Sequence, residues 1–150
     1  MLLKRLQPLG GSEKLTMNKK KILVVDDDAV VIRALSIKLQ AGGFEVVMAT
    51  NGADAVNAVR TQRPDLILLD LTFPADMGSV AWDGFLIMQW LKRVEEAAHI
   101  PIIVITGGDR EKYESRAIAA GATAFFHKPI SHDELLGLIR QTLNLEPVTA

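Results

Sequence analysis

Five short apolar runs, each separated from the next by a segment of helical periodicity, constrain this chain more than any other feature of its sequence. The runs are ILVV from Ile22, FEVVMA from Phe44, DLILL from Asp65, PIIVI from Pro101 and TAFF from Thr123. Each is bounded by turn or helix-start residues and predicts a buried strand. Between and after them lie VIRALSIKL, ADAVNAVR, FLIMQWLKRVEE, YESRAIAA and DELLGLIRQTL, whose apolar spacing predicts helices. The last begins with a capping box, Ser131 with Glu134. Strict alternation of strand and helix predicts an α/β fold, a doubly wound parallel sheet covered by helices on both faces. One unit, from Asp65 to Pro101, is longer than the others. The excess falls in LTFPADMGSVAWDG, where Pro74, Gly78 and Gly84 predict a loop.

With 150 residues, 49% of them hydrophobic, the chain has material for one domain with a proper core and too little for two. Its organisation is expected to be an extension over 1–19, a domain over 20–145 and a short tail over 146–150. The start, MLLKRLQPLGGSEKLT, has only short apolar pieces broken by Pro8, Gly10 and Gly11, which makes a poor signal peptide and predicts a flexible extension. Met17, just before NKKK and the first strand, is a second candidate for the start of translation. The formal net charge is −1 and the basic residues are dispersed, so direct binding to nucleic acid or to an anionic membrane surface is not expected. With no cysteine, disulfides, thiolate metal sites and cysteine catalysis are excluded. No apolar run has the length of a membrane span.

The first strand runs directly into Asp26, Asp27 and Asp28. Adjacent carboxylates repel, and partial burial adds to the cost. Helix capping accounts for Asp28, at the start of AVVIRALSIKLQ. Asp26 and Asp27 fit a different purpose, holding a hard divalent cation such as Mg²⁺. In an open parallel sheet ligands bind beyond the carboxyl ends of the strands. There the sequence places Asp26 and Asp27 after the first run, Asp70 after the third, Thr106 after the fourth, and His127, Lys128 and Pro129 after the fifth. Any of these alone is ordinary for a strand end. Together, cation ligands, an acceptor carboxylate, a hydroxyl and an ammonium form a phosphoryl-transfer set.

In VVDDD, LILLDLTFP, PIIVITGG and GATAFFHKPI the sequence resembles the receiver domains of two-component response regulators, over about residues 20–144. The resemblance implies a flavodoxin-like sheet of five strands in the order 2-1-3-4-5, with five helices. It implies that Asp70 accepts a phosphoryl group from a phosphohistidine on a sensor histidine kinase or histidine phosphotransfer protein. It further implies Mg²⁺ or Mn²⁺ bound by Asp27, Asp70 and the Thr72 backbone carbonyl, with Asp26 helping through a water. Thr106 would hydrogen-bond the phosphoryl group and Lys128 would pair with it. Thr106 and Phe125 would form the switch, Phe125 standing where the family often has tyrosine. Gly107 matches the small residue beside the hydroxyl, and Gly108 and Thr72 match positions that tune phosphoryl lifetime. The implied output is a face of the fourth helix, fifth strand and fifth helix that meets a downstream protein or a second copy. On this reading the chain is a cytoplasmic, stand-alone phosphoacceptor and not an enzyme acting on a separate substrate. Because only Glu146 to Ala150 follow Leu145, the signal is expected to pass through a partner, a dimer or a phosphorelay.

The sequence departs from the family in residues 75–83, ADMGSVAWD, between Pro74 and Gly84. Such a loop is cheap in entropy, yet Trp82 is an expensive side chain to leave in water. The loop is expected to fold over the third helix or to dock a partner, with Trp82 as its anchor. Rival functions are a haloacid-dehalogenase-like phosphatase, since Asp26, Asp28 and Val30 spell DxDxV, and a degenerate receiver that binds without phosphorylation. The phosphatase needs a late strand ending in acids, whereas Asp133 and Glu134 open a helix.

Overall fold

The computed structural model describes residues 19–70, 84–95, 97–107 and 110–145, with backbone alone at 70, 84, 86 and 110–112. Its elements are β1 (Lys21–Val25), α1 (Ala29–Ala41), β2 (Glu45–Ala49), α2 (Gly52–Gln62), β3 (Leu66–Asp70), α3 (Gly84–Arg93), β4 (Ile102–Thr106), α4 (Arg110–Ala119), β5 (Ala124–His127) and α5 (His132–Thr142). Each strand begins within one residue of its expected start. The extension before Lys19, the tail after Leu145 and the segment 71–83, with Thr72 and Trp82, lie outside the described residues.

All strand pairs are parallel and the order is β2-β1-β3-β4-β5, as the resemblance implies. Apart from Lys21 at the start of β1 and Asp70 and Thr106 at the ends of β3 and β4, the central strands are apolar because both of their faces are covered. Side-chain alternation divides them between two cores. Leu23, Val25, Ile67, Leu69, Ile102 and Val104 pack with Ala55 and Val59 of α2, Met88 and Leu91 of α3 and Ala117 of α4. Ile22, Val24, Leu66, Leu68, Ile103 and Ile105 pack with Ile32 and Leu39 of α1 and Leu135 and Ile139 of α5. At the opposite end of the sheet from the acids, Asp65 joins β3 to β1. Its carboxylate accepts from the Lys21 N–H at 2.8 Å, and its own N–H donates to the Lys21 carbonyl at 2.8 Å.

The expected third helix, which ran to Glu96, stops earlier, at Arg93. Val94 donates to Leu91 O, Ala97 to Val94 O and Ile100 to Ala97 O, at 3.2, 2.8 and 2.9 Å. These i→i−3 turns tighten the chain toward β4 and bury Ala97 and Ile100. Apolar spacing continues through the turns, which is why the periodicity overshoots. Of the apolar start FLIM, Phe85, Ile87 and Met88 are buried, while Trp90 one turn on is 41% exposed.

Three helices end alike. In α4, Gly121 N–H donates to Ile118 O and Ala122 N–H to Ala117 O, each at 3.0 Å, a Schellman arrangement. In α1 Gly43 and Phe44 make the same pair of bonds, and in α5 Asn144 and Leu145 do so. Gly121 has φ +110°, and a Cβ there would lie 2.7 Å from Lys92 Cε. Gly137 in α5 is the reverse case, since a Cβ there would meet nothing within 4 Å. Gly121→Ala is therefore expected to lower stability by about 1–3 kcal/mol and Gly137→Ala to raise that of the folded monomer by about 0.5–1 kcal/mol. Urea denaturation of the two variants checks both signs.

Candidate functional site

The register of the sheet assembles the strand-end residues. Val25 pairs with Leu69, so Asp26 stands level with Asp70, the last residue of β3. Asp70 in turn pairs with Ile105, next to Thr106, and Thr106 pairs with His127, next to Lys128. The Lys128 N–H donates to the Thr106 carbonyl at 2.8 Å, extending the β4–β5 pairing past the end of β5. The Lys128–Pro129 peptide is cis. The chain order reverses direction between β1 and β3, so the acids occupy the topological switch point of the sheet.

The three aspartates have distinct surroundings. Asp26 is 4% exposed, whereas Asp27 and Asp28 face solvent. The Asp26 N–H donates to Ala49 O at 3.2 Å, and its carboxylate Oδ1 accepts from the Asp28 N–H at 2.9 Å. Asp28 caps α1, its Oδ1 accepting from the Val30 and Val31 N–H groups at 2.9 and 3.4 Å. The expected cap is thus present. What the sequence reading missed is that the capping residue also holds the Asp26 carboxylate. The signal was available: an aspartate whose side chain accepts from the backbone two residues on is an Asx turn.

Asp26 and Lys128 both line a cavity of about 20 Å³, walled by apolar side chains that include Val31, Leu68 and Ile105. That is room for roughly one water. Thr106 is 1% exposed at the end of β4, with Gly107 exposed beside it. By alternation Thr106 shares the face of Val104, which pairs with Phe125. Thr106 and buried Phe125 are therefore diagonal neighbours on one face, the one covered by α3 and α4. Gly108 and Thr72 lie outside the described residues, as does the Asp70 side chain. Among the described residues no group of three His, Cys, Asp or Glu side chains converges.

A five-stranded parallel sheet of this order, with acids at its switch point, defines a flavodoxin-like α/β domain. Within that class the chain belongs to the response regulator receiver domain family, which residues 22–140 match. It is 31% identical over 124 residues to the polar-differentiation response regulator DivK of Brucella anthropi, an alignment covering 83% of this chain and 96% of that one. Among solved structures it is similar to the chemotaxis protein CheY4 of Vibrio cholerae, with 26% identity, a TM-score of 0.72 and coverage of 82% of this chain and 98% of that chain. A CheY-like receiver from Methanospirillum hungatei JF-1 shares the fold at a TM-score of 0.74 and 24% identity, over 85% of this chain and 95% of that one. No helix among the described residues is long and apolar enough to cross a membrane.

Because Asp28 both caps α1 and presents its N–H to Asp26, Asp28→Ala is expected to cost about 0.5–2 kcal/mol and Asp28→Asn, an equivalent cap, far less. Thermal or urea unfolding of the two variants decides this.

Proposed function

We propose that residues 20–145 are a phosphoacceptor switch, taking a phosphoryl group from a phosphohistidine onto Asp70 and signalling by a change of packing. The observation that carries this reading is the register that sets Asp26, Asp70, Thr106 and Lys128 at one edge of a receiver fold. In the transfer a carboxylate oxygen of Asp70 forms the new O–P bond as the P–N bond of the donor breaks, and the imidazole nitrogen leaves with the electron pair. Such a transfer needs alignment and charge neutralisation more than covalent help.

The donor set suits a hard divalent ion. It is entirely oxygen, it pairs a buried carboxylate with an exposed one, and exposure at Asp27 lets the ion keep part of its water shell. Asp27, Asp70 and the Thr72 carbonyl would hold Mg²⁺ or Mn²⁺, with Asp26 acting through water, and the ion would neutralise charge on the phosphoryl oxygens. One Asp26 oxygen already accepts from Asp28, which leaves its second oxygen as the one to serve the site. Lys128 pairs with the phosphoryl group from the side of the shared cavity. Thr106 donates its hydroxyl to that group, and Phe125, its diagonal neighbour, repacks when Thr106 moves. The two packings form a two-state equilibrium biased by contacts to phosphate. The outcome is read by a downstream protein at the face of α4, β5 and α5. The chain acts in the cytoplasm, binds no nucleic acid itself and turns over only its own phosphoryl group.

Mass spectrometry after exposure to a small phosphodonor with Mg²⁺ tests the assignment. Label is expected on Asp70, absent in Asp70→Asn and absent without the metal, retained in Asp26→Asn at a reduced rate, and formed at least about tenfold more slowly in Lys128→Ala. Label on Asp26 instead would overturn the reading in favour of a phosphatase-like nucleophile. Absence of label would make the domain a binding module that works without phosphorylation.

A further inference from the structure

We propose that the face formed by α1 and α5 docks a second copy of this chain, the two α5 helices packing antiparallel about a twofold axis at Leu136 and Gly137. This inference does not depend on phosphorylation, and the face is distinct from that of α4, β5 and α5. A groove of about 810 Å³ runs between the end of α1, at Ala41 and Gly42, and Asp133, Leu136, Gly137 and Arg140 of α5. On a helix, positions 133, 136, 137 and 140 share one side, while Leu135 and Ile139 point into the core. Gly137 leaves the helix backbone bare at the middle of that side, with open space where a Cβ would be.

The pattern along α5 is self-complementary. Among the described residues, Asp133 and Arg140 are the only charged ones lining the groove. They are two helical turns apart, about 10.5 Å, and equidistant in sequence from the Leu136–Gly137 pair. Antiparallel pairing about that midpoint sets Asp133 of each copy against Arg140 of the other, and Leu136 of each over the bare backbone at Gly137 of the other. Opposite charge meets opposite charge and large meets small, twice, as an isologous interface requires. Parallel pairing in register would set like on like and gains none of this. Arg140 is already held in place, its Nη2 donating to Gly42 O at 2.9 Å and its guanidinium lying 5.5 Å from the Phe44 ring centroid. An ordered side chain loses less entropy on association.

Sedimentation velocity of the full chain over a concentration series, with three variants, tests the proposal. The native chain is expected to dimerise. Gly137→Arg, whose side chain enters open space and leaves the monomer folded, and Asp133→Lys, which opposes Arg140 with like charge, are each expected to weaken the dimer at least about tenfold. Ile118→Lys, on an exposed position of α4, is expected to leave it unchanged. Thermal melts confirm that each variant is folded. A native chain that stays monomeric at every concentration overturns the proposal. So does a dimer indifferent to Gly137→Arg and Asp133→Lys, or one abolished by Ile118→Lys.

Discussion

Backbone hydrogen bonding between parallel β1, β3 and β4 decides where the chemistry of this domain can occur. Each proposed functional group is carried on the residue that ends or follows a strand, so its position relative to the others is set by strand register. A slip of one residue in β3 would invert every side chain of the strand, exchanging the two cores as well as displacing the proposed acceptor position. The apolar side chains on both faces of these strands hold the register. Removing a large one, such as Leu68 or Ile103, costs about 2–5 kcal/mol where the cavity cannot collapse. Core and site are thereby specified by the same residues.

Gathering acids at one edge has an electrostatic cost, and the local structure divides it. Asp28 places its charge at the N-terminus of α1, where backbone N–H groups and the helix dipole favour it. Asp26, the buried member, receives an N–H bond from Asp28. Asp27 stays in water. The proposed divalent cation would balance the charge that remains.

Much of this was legible in the sequence because the signals are local. Apolar runs that end in an acid, a hydroxyl or a lysine mark both a strand and the end of it that bears function, and the caps at Asp28 and Ser131 follow from short-range rules. The family resemblance supplied the strand order, which alternation alone leaves open. Periodicity failed at the end of α3, where apolar residues continue into tight turns. It is also silent on contacts made across the fold. Arg140 reaches Gly42 O, 98 residues away in sequence, and Arg116 lies 4.0 Å from the ring centroid of Phe85, which itself stacks near Tyr113 at 6.1 Å. Gly137 reads in sequence as a weak point of a helix, and only its surroundings show the open groove beside it. The expectations for Thr72 and for 75–83 with Trp82 concern residues outside those described.

Thermal unfolding as a function of Mg²⁺ concentration, for the native chain and for Asp27→Asn, tests the central claim most directly: that the acid edge is a cation site. A ligand bound only by the folded state stabilises it by an amount that grows with the logarithm of its concentration above the dissociation constant, reaching about 2.7 kcal/mol at a hundred times that constant. The melting temperature of the native chain is predicted to rise with the logarithm of Mg²⁺ concentration above the dissociation constant, and Asp27→Asn is predicted to lose the rise. A melting temperature independent of Mg²⁺, or an equal rise in both proteins, would contradict the account.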